Sequence, residues 1–350
     1  MFTFRRRERG GGAGGSALAE QLSQEFSGSD AELFAEIERL TQANRLRPSH
    51  ATEQRLLHLR NLAGIRRLAD VGSDPRHPEP DFAALPAAEG LPEVAADAVT
   101  PALLRAAILR HGCLLVRGLV PRSPAVRFAR RIDRCFQERE RHDAGQKFDA
   151  GYYCGFDPDP SVGGEMSRHW IKSGGGVLAV DSPRLSFEML EMFQSAGLPA
   201  LVQGYLGEPP LITAQKTTLR KADPGLAGAW HQDGKFMGQV RALNLWLALS
   251  RCGDEAPGLD VVPRRIDHHV TTQTDEAWLD NMVSQRMAEE AAAGTGILRP
   301  IFEPGDALLF DELFLHKTGS DPSMPKPRFA IENWFFGASG YPAEYAPLAV

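Results

Sequence analysis

Two short stretches are the most informative parts of this 350-residue sequence: Trp-His-Gln-Asp-Gly at 230–234 and Leu-His-Lys-Thr at 315–318. In a strand, residues two apart face the same side. His231 and Asp233 could therefore bind one metal ion while Gln232 points away. Together the two stretches predict a metal site where separate strands of a β-rich domain meet.

A guanidinium follows the second stretch at a position where it could complete a binding site. Residues 314–318 alternate so that His316 and Thr318 share one face, and a loop rich in Gly and Pro, 319–327, then reverses the chain to Arg328. If the two strands form a hairpin, Arg328 lies close to both side chains. It could then hold a carboxylate with two parallel hydrogen bonds, and Thr318 could donate a third.

Two imidazoles and one carboxylate are a ligand set typical of non-haem iron. They can occupy one face of an octahedral Fe(II) and leave the opposite positions open for a co-substrate and O2. The arginine suits the distal carboxylate of 2-oxoglutarate, whose keto-acid end chelates the metal. Each residue alone has a structural explanation, because a buried His is more often a core residue and an Arg after a turn is usually solvated. The whole set in register on separate strands favours the metal site.

Composition and charge fit an ordinary globular protein and argue against two classes of partner. Hydrophobic residues make up 43% of the chain and charged residues 24%. The formal net charge of -6, from 45 acidic and 39 basic residues, gives no support for nucleic-acid binding. No run approaches the ~18 apolar residues of a membrane-spanning helix, so no membrane partner is predicted.

The cysteines and the N-terminus predict a cytoplasmic protein. Cys113, Cys135, Cys154 and Cys252 have no C-x-x-C spacing, which is typical of reduced thiols rather than of a disulfide framework. Glycines within 10–15 follow the first arginines, where a secretory signal would need an apolar run.

Three regions are predicted along the chain. Residues 1–27, rich in Arg and then in Gly, are expected to be a disordered tail. Residues 28–98 are predicted to be a helical N-terminal extension and linker, because Ser29 and Glu32 have the spacing of a capping box and apolar residues recur at helical spacing after them. This helical pair could pack on the main domain or offer the surface of a homodimer. Residues 99–340 are predicted to be the main domain.

The main domain begins with helices and becomes β-rich from Leu211 onward. Short runs separated by Gly, Pro and Asp predict a sandwich or barrel. The expected strands are Cys113–Leu119, Ile212–Arg220, Ala242–Leu249, Leu259–Val262, Ala307–Phe310, Leu313–Thr318 and Phe329–Phe336. The expected helices include Ser123–Arg141, Pro183–Gly204 and Asp275–Ala293. Residues 144–180, rich in Gly and aromatic residues, are predicted to be an active-site lid.

The order of these motifs resembles the phytanoyl-CoA dioxygenase-like branch of the Fe(II)/2-oxoglutarate oxygenases. The resemblance covers about residues 100–336 and includes, besides the two opening stretches, the segments 111–119, 257–263 and 305–310. It implies an α+β chain with a mainly β core, in which a double-stranded β-helix (a jelly-roll or cupin-like barrel) is flanked by helices.

The resemblance also implies roles for individual residues. The residues that would bind iron are His231, Asp233 and His316. The residues that would hold 2-oxoglutarate are Arg328 and Thr318, with Gln215 and Trp246 as weaker assignments. Asn244 and Trp246 share one strand face, which could be the barrel interior, although Trp246 could equally be a packing residue.

One segment departs from the family pattern. After Pro263 the family usually has Gly-Ser-His, whereas this chain has Arg-Arg-Ile-Asp-His-His at 264–269. His268 or His269 could be an alternative ligand, but a polar loop at the rim is the favoured interpretation. Asp233 is retained, whereas related halogenases replace this carboxylate by Gly or Ala, so an oxygenation is expected.

The expected function is hydroxylation of an unactivated C–H bond in a small molecule, using Fe(II), 2-oxoglutarate and O2 and releasing succinate and CO2. Arg168, His169 and Lys172 in the lid could meet an anionic group of that substrate, or could be solvated. Two alternatives stay open. The same cofactors could give desaturation, cyclisation or demethylation, or the barrel could be a catalytically silent ligand-binding protein or sensor.

Overall fold

The structure is a computed structural model that describes residues 26–70, 74–87, 90–159, 162–226, 228–274, 277 and 281–350. The predicted disordered tail at 1–27 lies almost wholly outside these residues. No helix within them is long and apolar enough to cross a membrane.

Most helices of the described chain precede Leu211, and most strands follow it. The helices are α1 Asp30–Leu46, α2 His50–Ala69, α3 Pro101–His111, α4 Arg122–Asp143, α5 Arg168–Ser173, α6 Pro183–Ser195, α7 Leu198–Leu206, α8 Gly234–Met237 and α9 Gln285–Ala292. The strands are β1 Glu93–Ala95, β2 Cys113–Arg117, β3 Gly176–Leu178, β4 Leu211–Ala222, β5 Trp230–His231, β6 Ala242–Ala248, β7 Gly258–Val261, β8 Met282–Val283, β9 Ala307–Phe310, β10 His316–Gly319, β11 Arg328–Phe336 and β12 Pro347–Ala349. Short 3-10 turns lie at Ala96–Ala98, Ala179–Asp181 and Ala338–Gly340.

The strands form two sheets in a mixed α/β architecture. The larger has the order β1-β2-β9-β6-β11-β4-β12, and β3 also pairs with β4. The smaller has the order β7-β10-β5-β8. Every pairing in the larger sheet is antiparallel except that of β1 with β2.

The alternation along β6 explains how the two faces of the larger sheet are used. Leu243, Leu245 and Leu247 belong to the core that the sheet shares with α3, α4 and α6. Trp246 and Ala248, on the opposite face, belong to a second core that includes apolar residues of β7 in the smaller sheet. Period-two burial of this kind places polar and aromatic side chains of β6 between the two sheets.

The N-terminal helical pair forms as predicted and packs on the main body. Glu32 donates its backbone N–H to the Ser29 hydroxyl while its carboxylate accepts from the Ser29 backbone N–H at 2.7 Å, which is a complete capping box. Leu33 and Leu59 are fully buried in a cluster that also contains Leu211 of β4 and Ala349 of β12. The apolar stripe of the pair therefore covers one end of the larger sheet.

Two predicted helices differ from those in the structure. The single helix expected at Pro183–Gly204 is two helices, α6 and α7, because Gly197 has a φ of 70° and turns the chain between them. Of the helix expected at Asp275–Ala293, the described part is helical only in α9, and β8 precedes it. Residues 275–276 and 278–280 lie outside the described chain.

Candidate active site

The two histidines predicted to bind metal face each other across neighbouring strands of the smaller sheet. In the antiparallel pairing of β10 with β5, His316 lies directly opposite His231. Their ring centroids are 4.5 Å apart. Residues at such cross-strand positions have adjacent side chains, so the register itself brings the two imidazoles together.

Asp233 reaches the same point by a route that differs from the prediction. The expected strand alternation is wrong, because β5 ends at His231 and Asp233 has helical backbone angles, φ -63° and ψ -28°, just before α8. Its Oδ1 nevertheless lies 3.5 Å from Nε2 of His231. The candidate ligand atoms of His231, Asp233 and His316 all lie within 4.8 Å of one another.

Both imidazoles are held by backbone carbonyls in an orientation suited to a metal. Nδ1 of His231 is 2.8 Å from the Ala229 carbonyl, and Nδ1 of His316 is 3.0 Å from the Phe314 carbonyl. A proton on each Nδ1 would satisfy these contacts and leave each Nε2 lone pair free. Burial lowers the pKa of His316 to about 4, so this imidazole is neutral at ordinary pH.

Gln232 points away from the cluster, as predicted, and fixes the surrounding loops. Its Nε2 donates to the backbone carbonyls of His268, at 3.0 Å, and Leu313, at 2.6 Å. Its Oε1 accepts from the Val270 backbone N–H at 2.7 Å. A fully buried amide with these three partners ties the first ligand stretch to the second.

Arg328 lies near Thr318, but the predicted hairpin between their strands is wrong. β11 belongs to the larger sheet and pairs with β4 and β6, whereas β10 belongs to the smaller one. Both residues line the same cavity, so they approach from opposite sheets. Arg328 is 1% exposed, and the structure gives it one polar contact, from Nη1 to the Gly258 carbonyl at 3.3 Å. Burial lowers the pKa of its guanidinium.

The cavity between the sheets contains all the residues of the predicted site. Its volume is about 280 Å³. The predicted site residues in its wall are His231, Asp233, His316, Thr318, Arg328, Gln215 and Trp246. This volume lies just below the ~300–1,000 Å³ typical of pockets for drug-sized ligands, so the cavity suits small metabolites.

The two weaker assignments differ in what their polar atoms contact. Gln215 accepts from the Ala346 backbone N–H at 2.9 Å and donates to the Gly164 carbonyl at 3.3 Å, so its amide is used by the protein. Trp246 is 2% exposed, and its Nε1 has no hydrogen-bond partner in the described structure. Its ring lies 5.2 Å from the Arg328 guanidinium carbon.

Other basic residues considered from the sequence are not candidate ligands of the cluster, although the His269 ring lies beside Gly234. His268 and His269 are exposed, and neither is in the metal-ligand group found among the described residues. Arg168 is bonded to Asp181 at 2.8 Å and 2.9 Å. Lys172 pairs with Asp143 at 2.6 Å.

Three charged residues of the cavity wall, Lys216, Arg220 and Glu332, were not predicted from the sequence. Arg220 and Glu332 form an ion pair at 2.8 Å between neighbouring strands. Period-two alternation from Arg328 along β11 would have indicated Glu332. Lys216 and Arg220 alternate with Thr218 on the cavity side of β4, so the same period would have indicated them. Gln215 breaks this period, because β4 has extra residues opposite Asn333–Phe335.

Comparison with known proteins identifies the family. The family model described as Phytanoyl-CoA dioxygenase (PhyH) matches residues 108–328. The chain belongs to this family. The predicted family is thereby confirmed, and the donor set of the cavity fits Fe(II) and 2-oxoglutarate.

Two relatives show how far the likeness extends. L-proline trans-4-hydroxylase of Streptomyces griseoviridis is 28% identical over 157 residues, covering 37% of this chain and 57% of that protein. The match thus spans little more than half of that relative. The crystal structure of EctD from S. alaskensis with 2-oxoglutarate and 5-hydroxyectoine has a TM-score of 0.50 at 16% identity, covering 77% of this chain and 86% of that one. It shows likeness of fold alone.

Proposed function

We propose that this protein is an Fe(II)- and 2-oxoglutarate-dependent dioxygenase that hydroxylates a C–H bond of a small molecule. In this proposal the two sheets form a double-stranded β-helix with its site between them. The observation that carries it is one small cavity holding a His-Asp-His cluster and, apart from it, a buried arginine that forms no ion pair with a carboxylate of the described protein.

The cluster is suited to a divalent metal and poorly suited to serve only the fold. His231, Asp233 and His316 would hold the iron through two imidazole nitrogens and one carboxylate oxygen, the facial set that leaves open positions. Their polar atoms converge on one point, whereas buried structural histidines usually direct each nitrogen at a separate partner. Retention of the Asp233 carboxylate supports oxygenation rather than halogenation.

Arg328 is suited to the distal carboxylate of 2-oxoglutarate. Its Nε is buried with no hydrogen-bond partner in the described structure. Glu332 attracts the guanidinium but does not bond to it, and a buried guanidinium without a directly bonded anion is costly. A bidentate carboxylate would satisfy it. The Thr318 side chain, in the opposite wall, would donate a further hydrogen bond.

The protein's own residues would orient the reactants and keep water out. When bound, iron and 2-oxoglutarate supply the oxidation, in which one atom of O2 leaves in succinate, the other enters the substrate, and CO2 is released. Residues 144–180 would act as the lid, since Ile171 and Gly174 line the cavity. Part of this segment is fixed, because Tyr152, Tyr153 and Phe156 are buried in the core beside the helices.

The direct test is succinate formation by the purified protein from 2-oxoglutarate. We expect Fe(II)-dependent turnover even without the true substrate, because these enzymes decarboxylate the co-substrate slowly when uncoupled. Asp233→Ala and His231→Ala should each lower it by roughly 100-fold or more, since each removes a metal ligand. His268→Ala, which alters an exposed imidazole outside the cluster, should retain it. Absence of both turnover and iron binding in the unmodified protein would refute the proposal.

A further inference from the structure

We propose that Lys216 binds a carboxylate of the substrate, so that this enzyme acts on small molecules carrying a single carboxylate near the oxidised carbon. The inference rests on the proposed function, because it assigns a role to a second cation in the same cavity. Arg328 would hold the co-substrate and Lys216 the substrate.

The first observation is that the Lys216 ammonium has aromatic neighbours but no directly bonded anion. Its Nζ lies 4.2 Å from the centroid of the Phe236 ring and 5.4 Å from that of Tyr345. Within the described chain it makes no hydrogen bond and no ion pair. Cation–π contacts contribute about 0.5–2 kcal/mol each, less than the hydration that a partly buried ammonium loses. Asp233 and Glu332 attract the ammonium only at longer range, so a directly bonded anion is the partner that this environment lacks.

The second observation is the position of Lys216 relative to the metal cluster and to Arg328. Lys216 lines the cavity together with the metal cluster. Phe236, which it contacts, belongs to the short helix that follows Asp233, and the Phe236 ring is 6.4 Å from that of His231. Arg328 instead contacts Trp246. The two cations therefore have different neighbours, one beside the metal cluster and the other against the wall formed by β6.

The third observation is the charge of the surrounding wall. Arg220 is paired with Glu332 at 2.8 Å, and its Nη1 donates to the Gly174 carbonyl at 2.9 Å. This pair is neutral overall and its donors are used. With Fe(II) and the 2-oxoglutarate dianion bound, their charges and those of Asp233 and Arg328 sum to zero. Lys216 therefore leaves the cavity with one positive charge. A monoanion such as a carboxylate balances it, whereas a phosphate dianion would not be neutralised.

The backbone explains why a lysine reaches this place. Asn333 pairs with Thr217 and Phe335 pairs with Ile212, so β4 contains extra residues across from this part of β11. Such bulges redirect side chains and are common beside active sites. Lys216 alternates with Thr218 and Arg220 on the cavity side of β4, and the bulge lets the neighbouring Gln215 reach the same wall.

The test compares ligands that differ only in the charged group. The protein is loaded with Mn(II) and 2-oxoglutarate, and a set of L-amino acids, each beside its own carboxamide, is screened by the change in melting temperature. Dissociation constants are then measured by titration for the amino acids that stabilise it. We expect stabilisation by one or more amino acids and not by the matched carboxamides.

Variants assign the effect to Lys216. Lys216→Met should weaken binding of the stabilising amino acids by roughly 10- to 100-fold, the loss expected for one charge-assisted hydrogen bond. Lys216→Arg should restore most of it, which a packing role for the lysine stem would not predict. Lys326→Met, which removes an exposed lysine paired with Glu255 outside the cavity, should bind like the unmodified protein.

The outcomes separate this inference from the proposed function. Equal binding of carboxamides, unweakened binding in Lys216→Met, or stabilisation by none of the amino acids would each overturn the role of Lys216. If succinate formation from 2-oxoglutarate is present in the unmodified protein, such a result leaves the oxygenase assignment standing. If that turnover is absent as well, the proposed function fails with it.

Discussion

Arg168 and Arg328 are both partly or wholly buried arginines, yet their surroundings are opposite. Arg168, at the start of α5, donates from Nε and Nη2 to the two oxygens of Asp181, at 2.8 Å and 2.9 Å. Nη2 also donates to the Phe156 carbonyl at 2.5 Å. Arg328, at the start of β11, is 1% exposed, and the structure gives it a single hydrogen bond, from Nη1 to the Gly258 carbonyl at 3.3 Å.

The difference separates a structural charge from one available to a ligand. Asp181 is 1% exposed, and burial raises its pKa while the Arg168 guanidinium opposes that rise. Each partner of this pair therefore compensates the desolvation of the other. Arg328 has no directly bonded carboxylate in the described structure, and its burial lowers its pKa although Glu332 opposes this at longer range. A folded protein retains such a group only where something outside the chain supplies the missing charge, which is our interpretation of Arg328.

Removing the guanidinium of Arg328 should have the largest effect on co-substrate binding. For Arg328→Met we expect the KM for 2-oxoglutarate to rise by roughly 100-fold or more, because two charge-assisted hydrogen bonds of about 1.5–3 kcal/mol each are lost. The free energy of unfolding should stay the same or increase, since a buried unpaired charge has been replaced by an apolar side chain. Succinate formation at varied 2-oxoglutarate and denaturant unfolding measure the two quantities.

If Arg328→Met instead lowers the free energy of unfolding and leaves the KM for 2-oxoglutarate unchanged, Arg328 behaves as we expect of Arg168. Arg328 would then be a structural cation, and the co-substrate would bind elsewhere. Arg328→Lys sharpens the test, because it keeps the charge but loses the fork geometry. It should recover only part of the affinity.

Arg168→Met should show the opposite pattern. It leaves the buried Asp181 carboxylate without its partner, so the free energy of unfolding should fall by about 3 kcal/mol, near the lower end for buried pairs because Arg168 is partly exposed. The KM for 2-oxoglutarate should not change. Lys172→Met is the matched control on the same helix, because its pair with Asp143 is exposed and should contribute no more than about 1 kcal/mol.

The same comparison shows what the sequence could establish about the site. Alternation identified the inward side chains of β10, and the strands at 307–310 and 242–249 were placed within one residue. Turn residues and local periodicity carry that information. They also explain why the capping box of α1 was predicted correctly.

Sheet pairing carries no comparable local signal. A hairpin joining His316 to Arg328 was the simplest local interpretation, yet the two strands belong to different sheets. The choice depends on contacts between segments far apart in the sequence, such as β11 with β4. The sequence could not show that Arg168 is paired and Lys216 is not, for the same reason. Whether a charge is paired is decided by residues such as Asp181, which only the fold brings near.

Trp246 should show the smallest effect that we expect of an unpaired buried polar group that binds a ligand. Its Nε1 has no partner among the described residues and lies in the wall beside Arg328, whereas Nε1 of Trp230 donates to Gln285 at 2.7 Å. If the Trp246 indole donates to 2-oxoglutarate, Trp246→Phe should raise the KM for 2-oxoglutarate about 3- to 10-fold, the loss of one hydrogen bond of about 1 kcal/mol.

Stability separates the two tryptophans. Trp246→Phe removes no protein hydrogen bond, so the free energy of unfolding should change little beyond the packing lost against Phe302. Trp230→Phe should lower it by about 1 kcal/mol, because the bond to Gln285 is lost. An unchanged KM in Trp246→Phe would make this indole a packing residue. The co-substrate would then be held by Arg328 and Thr318 without it, because an orphaned donor that no ligand uses contributes nothing to binding.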